Sequence, residues 1–157
     1  LWKLEPHTTA KHAILRGYLQ AWLPIMTSWS SRVIFLDGFA GPGEYVDGEL
    51  GSPIIAIEAA LNHKKPLRAE VKFFFIESDA ARCSHLKELL NSRYPKLPSN
   101  LHYEVECAKF DDTLSTILAY LDEKNSRIAP TFAFLDPFAH IREFKFKCHT
   151  RPLYNIN

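Results

Sequence analysis

The most chemically suggestive residues in the chain are Asp37-Gly38-Phe39-Ala40-Gly41-Pro42-Gly43, directly behind the apolar run VIFL (33–36). Glycines lack a Cβ, so the backbone there can turn sharply and approach a ligand closely. Asp37, at the end of the run, can accept hydrogen bonds from a ligand ammonium group. In a dinucleotide fingerprint such a loop opens at once into a helix whose N-terminus faces a pyrophosphate. Here the next helix start, Ser52-Pro53, comes only after EYVDGELG. The loop therefore suits a ligand without phosphates better than a dinucleotide. The plain alternative is a tight strand-to-loop turn that holds nothing.

Glu77 in FFFIESD ends a second apolar run. An acid at that place can accept hydrogen bonds from both hydroxyls of a ribose. It lies farther along than the usual ~20 residues, which the inserted loop explains. Asp79 is the rival acid, but capping of the next helix accounts for it. A third acid opens Asp136-Pro137-Phe138-Ala139, behind TFAFL (131–135). Asp136, the rigid Pro137 and an aromatic ring can position a planar amine or base, although Asp-Pro is also a common strand-ending turn. The seven histidines, at 7, 12, 63, 85, 102, 140 and 149, show no metal-ligand spacing, and no metal is expected. Cys83, Cys107 and Cys148 form no CxxC pair, and the odd count reads as reduced thiols. There is no GxSxG elbow and no P-loop lysine.

These residues need a scaffold that brings three strand ends to one edge. The apolar spacing predicts a helix from Thr8 or Thr9 to about Thr27, with Ile14, Leu15, Tyr18, Leu19, Trp22 and Met26 on its apolar face and Pro24 kinking or shortening its end. Runs at 33–36, 71–76, 101–105 and 131–135 read as strands. Between them come helices from Pro53 to about Asn62 with Ser52 as N-cap, from Ala80 to about Arg93 with Asp79 as N-cap, and one capped by Asp111 or Asp112. In the second of these, Cys83, Leu86 and Leu90 form the inner face. Strands alternating with helices predict an α/β fold, a Rossmann-like parallel sheet of about four strands with flanking helices.

Length and composition fit one globular domain, assigned to residues 1–139. A net charge of +1 argues against coating nucleic acid by charge alone. Residues 140–157 fit neither period and carry Arg142, Lys145, Lys147, His149 and Arg151. They read as a solvated basic tail, with a phosphate-binding or nucleic-acid-binding arm as the alternative. No apolar run approaches the ~18 residues of a membrane span, and no signal-peptide pattern opens the chain. A soluble, cytoplasmic protein is expected.

The order of these motifs resembles the class I S-adenosylmethionine-dependent methyltransferases, and more closely the three-Cys-motif partner (TcmP) family. The segments that carry the likeness are KHAILRGYLQAW (11–22), FLDGFAGPGEYVDGELGSPIIAIEAAL (35–61), FFFIESD (73–79) and TFAFLDPFA (131–139). The resemblance implies S-adenosylmethionine as cofactor, a ligand without phosphates. It implies that Asp37, Gly38, Ala40, Gly41 and Gly43 hold that cofactor, that Glu77 holds its ribose, and that Asp136 and Pro137 face the methyl acceptor. It also implies a partner, the three-cysteine protein encoded nearby, to which the cysteines of this chain are unrelated. Lys109 stands where such enzymes keep an acid for the adenine amine, with Asp111 and Asp112 as substitutes, and DPFA replaces an aromatic-rich DPPY motif. With four strands in place of seven, the expectation is a truncated methyltransferase fold. The alternative is a non-catalytic, partner-binding scaffold or an inactive fragment.

Overall fold

The computed structural model describes residue 3 and residues 6–46 and 48–136. Pro137 and the basic tail, including Cys148, lie outside the described residues. In chain order the elements are α1 (Pro6–Trp29), β1 (Arg32–Asp37), α2 (Ser52–Leu61), β2 (Glu70–Ile76), α3 (Ala80–Arg93), β3 (Leu101–Glu106), α4 (Phe110–Glu123) and β4 (Thr131–Phe134). The four strands form one parallel sheet in the order β3-β2-β1-β4. This is the Rossmann-like α/β arrangement expected from the alternation of strands and helices.

Period-two alternation divides the sheet into two faces. Val33, Phe35, Val71, Phe73 and Phe75 point to one face and are buried there with Leu15, Leu19 and Leu23 of α1, the apolar residues of α2, and Leu86 and Leu90 of α3. Phe35 lies at the centre of this face, in ring contact with Phe73, Phe75 and Phe132. Leu36 and Ile76 point to the other face and pack with Phe110 and Leu114 of α4 in a smaller cluster. Asp37 continues the register of Val33 and Phe35. Its side chain therefore belongs to the face that α1 and α2 cover, which is why a carboxylate ends up fully buried.

Three local expectations need correction. Helix α1 continues through Pro24 to Trp29, and its inner residues are His12, Leu15, Leu19 and Leu23. Ile14 and Tyr18 face outward, although Tyr18 still stacks on Phe132 of β4 at 4.9 Å. The N-cap of α2 is Gly51, not Ser52, and Ser52 is already helical. The N-cap residue of α4 is Lys109, with Asp111 and Asp112 inside the first turn, where their charge complements the helix dipole. Asp79 caps α3 as expected, its carboxylate accepting from the Arg82 N–H at 2.8 Å.

Cys83 and Cys107 are joined by a disulfide, overturning the reading of these two as free thiols. The cause is topological. Strands β2 and β3 are parallel neighbours, so the first turn of α3 and the first residue after β3 emerge side by side at the same sheet edge.

Candidate functional site

The loop after β1 is held by hydrogen bonds to three different strand ends. Gly38 N–H donates to the Phe134 carbonyl of β4 at 3.1 Å, and Ala40 N–H to the Ile76 carbonyl of β2 at 2.9 Å. Phe39 N–H donates to Asp37 Oδ1 at 3.1 Å, and Gly41 N–H to Glu77 Oε2 at 2.8 Å. Four successive amides are thus spent inside the protein. A phosphate-binding loop needs such amides free and convergent. The amides of residues 38–41 are all engaged within the protein.

Glycine is required here at specific points. Gly41 and Gly43 have φ of 67° and 84°, in the left-handed region. A Cβ on Gly43 would stand 2.7 Å from Leu86 Cδ1 and 3.0 Å from Leu89 Cδ2, so this glycine also lets α3 close on the loop. The chain then folds back as a small hairpin, with an antiparallel bridge between Glu44 and Leu50 and Tyr45 N–H donating to the Glu49 carbonyl at 3.0 Å. Gly51 N–H returns to the Gly43 carbonyl at 2.7 Å, closing the loop at the start of α2.

Asp37 is completely buried, and its Oδ2 has no hydrogen-bond partner. Burial pushes its pKa up to about 7, and the Asp136 and Glu77 carboxylates add to the rise. The Ser52 hydroxyl and the Phe39 N–H act in the opposite direction. Ser52 is buried in the first turn of α2 and does not cap it. Glu77 is buried too, but both of its oxygens are engaged: Oε1 accepts from Asp79 N–H and Oε2 from Gly41 N–H, each at 2.8 Å. Each oxygen keeps a second lone pair for a ligand hydroxyl.

Asp136, just past β4, is paired with Lys11 of α1 at 2.5 Å. Its neighbour His12 is buried, its Nδ1 lacks a partner, and burial holds its pKa below the usual histidine value. Tyr45 of the hairpin completes this side. Its ring centroid lies 6.4 Å from that of His12, and its hydroxyl approaches Gly41. Of the residues singled out in the sequence, Asp37, Gly38, Ala40, Gly41, Gly43, Glu77 and Asp136 all gather at the carboxyl edge of the sheet. Lys109 is exposed at the start of α4, and no acid replaces it at that position. Lys11, His12, Tyr45 and Ser52 were missed. The available signal was His12, which falls in helical register with Leu15, Leu19 and Leu23.

Of two further cavities, one lies away from the carboxylates and the other borders them at His12. One of about 770 Å³ separates α4 from the second sheet face, with Arg32, Lys72, Phe74, Ile117 and Arg127 among its walls. It marks where α4 stands off the sheet, near the amino ends of the strands, away from the three carboxylates. The other, about 360 Å³, lies between α1 and the hairpin and is lined by His12, Arg16 and Glu49. Among the described residues no group of side chains could hold a metal ion, and no helix is long and apolar enough to cross a membrane.

The fold and the edge cluster together define a Rossmann-like α/β domain with three carboxylates, those of Asp37, Glu77 and Asp136, gathered around a glycine-bounded loop. Compared with family models, with curated proteins and with solved structures, the chain finds no match in any of the three.

Proposed function

We propose that the cleft at the carboxyl edge binds S-adenosylmethionine and that the chain is methyltransferase-like. The observation that carries this reading is Asp37, a fully buried carboxylate whose Oδ2 lacks a partner at the end of the central strand. A buried, unpaired anion is costly, and a cationic ligand offsets that cost. S-adenosylmethionine supplies an electrophilic methyl group on a sulfonium and carries an ammonium group as well. The spent amides of residues 38–41 support a ligand without phosphates.

In this reading Asp37 accepts from the ligand's ammonium group, and Gly38, Ala40, Gly41 and Gly43 let the backbone approach it. Glu77 uses its remaining lone pairs for the ribose hydroxyls. Asp136 and Pro137 border the acceptor, whose identity the residues leave open. Resemblance to the three-Cys-motif partner family supports the same assignment and proposes a nearby-encoded three-cysteine protein as partner. Calorimetric titration with S-adenosylmethionine and S-adenosylhomocysteine tests it. Saturable binding lost in Asp37→Ala is expected, and no binding at millimolar ligand to folded protein sinks it.

A second reading, a partner-binding scaffold, is favoured by one feature of α1. Ile14, Tyr18, Ile25 and Trp29 lie exposed along one side of the helix, with Trp29 87% exposed. Apolar stripes of this kind mark interaction surfaces.

A further inference from the structure

Two short paths, one through hydrogen bonds and one along the chain, run from the disulfide to the glycine loop. On one side, Cys83 N–H donates to the Asp79 carbonyl at 2.9 Å, the first hydrogen bond of α3. Asp79 N–H in turn donates to Glu77, whose other oxygen holds Gly41. On the other side, Cys107 leads through Ala108 and Lys109 to Phe110. That ring is buried, lies 5.7 Å from the ring of Phe39, and stands where a Cβ on Gly38 would be. The disulfide thus ties together the two segments that brace the glycine loop, one from β2 and one from β3. The two residues differ in access: Cys83 is fully buried in α3, and Cys107 is exposed beyond β3, so its side of the bond is the one open to solvent.

We propose that Cys83 and Cys107 are a redox-active pair, and that exchange with a small dithiol loosens the end of the cleft formed by Glu77, Asp79 and Phe110. The proposal rests on the cofactor reading given above. Exchange begins at the exposed sulfur. A thiolate of the dithiol attacks Cys107 Sγ, a mixed disulfide forms there, and Cys83 leaves as thiolate. The second thiol of the donor attacks its own sulfur in the mixed disulfide and releases Cys107. The donor is oxidised to a cyclic disulfide, its two electrons reduce the pair, and its two protons end on the cysteines. With the tether open, residues 107–109 and the first turn of α3 no longer hold Glu77 and Phe110 in one arrangement, and ligand binding must supply that order.

The test titrates S-adenosylhomocysteine into the full chain in three forms: diamide-oxidised, dithiothreitol-reduced, and Cys107→Ser. Alkylation and peptide mapping assign the thiols separately from Cys148. The reduced form is expected to bind roughly tenfold more weakly than the oxidised form. Cys107→Ser should match the reduced form whether or not dithiothreitol is present. A difference under about threefold overturns the proposal, as do alkylatable thiols at 83 and 107 after diamide. If no form binds, the cofactor reading has failed, and amide hydrogen exchange at Gly41 and Phe110 decides the redox pair. Faster exchange on reduction supports it, and unchanged exchange overturns it.

Discussion

Glu77 Oε2 accepts the backbone N–H of Gly41 at 2.8 Å, joining the end of β2 to the loop after β1 across 36 positions. The other oxygen holds Asp79 N–H, so one carboxylate fixes the glycine loop and the start of α3 together. Replacing Glu77 with Gln puts an amide N–H₂ against one of these two donors. We expect a loss of about 1–3 kcal/mol in chemical denaturation, because a buried donor loses its acceptor. Asp79→Ala, which removes only the cap on Arg82, is expected to cost about 1 kcal/mol. Equal losses in the two variants would show that Glu77 is not the brace.

Asp37 predicts a stability that falls with rising pH. Its folded pKa of about 7 lies above the ordinary carboxylate value of about 4, so the folded state binds the extra proton between these values. Its contribution is fully present below about pH 4 and is lost as pH rises through about 7. Asp37→Asn removes the penalty. At pH 8 we expect the variant to be more stable than the parent by on the order of 1–3 kcal/mol, and the gain to vanish near pH 4. The same variant is expected to lose binding of S-adenosylhomocysteine by roughly tenfold or more, since a hydrogen bond to a charged group is lost. Denaturation at the two pH values, paired with calorimetry, checks both parts.

Gly43 tests the close approach of loop and helix. An added methyl meets Leu86 and Leu89, and the residue also sits at φ 84°. Gly43→Ala should lower stability by about 2–3 kcal/mol, from left-handed strain plus overpacking. Gly48 also has a positive φ, 78°, but open space around it, so Gly48→Ala should cost about 1 kcal/mol from backbone strain alone. Thermal unfolding of both variants separates steric crowding from backbone strain.

The scaffold reading makes a separate prediction. Trp29→Glu and Ile25→Glu alter exposed positions of α1, so stability should change by less than about 0.5 kcal/mol. If the stripe is a docking surface, co-purification with the neighbouring three-cysteine protein should be lost in the double variant while cofactor titration stays unchanged. Retained co-purification would remove the stripe from consideration.

Strand positions and the cap at Asp79 were legible in the sequence because each rests on local signals: continuous apolar runs for buried parallel strands, and an acid before a helical period. The inner face of α1 was legible in Leu15, Leu19, Trp22 and Met26 but not in Ile14 and Tyr18, because apolar residues nearly encircle the helix. The choice between Ile14 and Leu23 depends on where α2 lies, which the helix pattern does not contain. Ser52 was misread for a related reason. Serine before proline is a sound cap signal, but the chain places Gly51 at the cap and Ser52 one residue inside the helix. The Lys11–Asp136 pair spans 125 positions, and the cysteine pair spans a whole helix and strand. Neither distance can be inferred until the strand order is known. The acids at three strand ends were legible as a set, because parallel topology sends all carboxyl ends to one edge. The basic neighbours from α1 were not, because that helix precedes the sheet.

The strand order also has a consequence in time. β1 lies between β2 and β4, and its register with β4 pairs Ile34 with Thr131 and Asp37 with Phe134. During synthesis β1 can find β2 early, but its other ladder waits for about a hundred further residues, on the order of ten seconds of translation. For that interval a flank of the central strand is open, and Gly38 N–H lacks its Phe134 acceptor. The nascent chain therefore has the β2 and β3 side of the cleft available before the β4 side exists. The β4 side of this edge is thus completed after the β2 and β3 side.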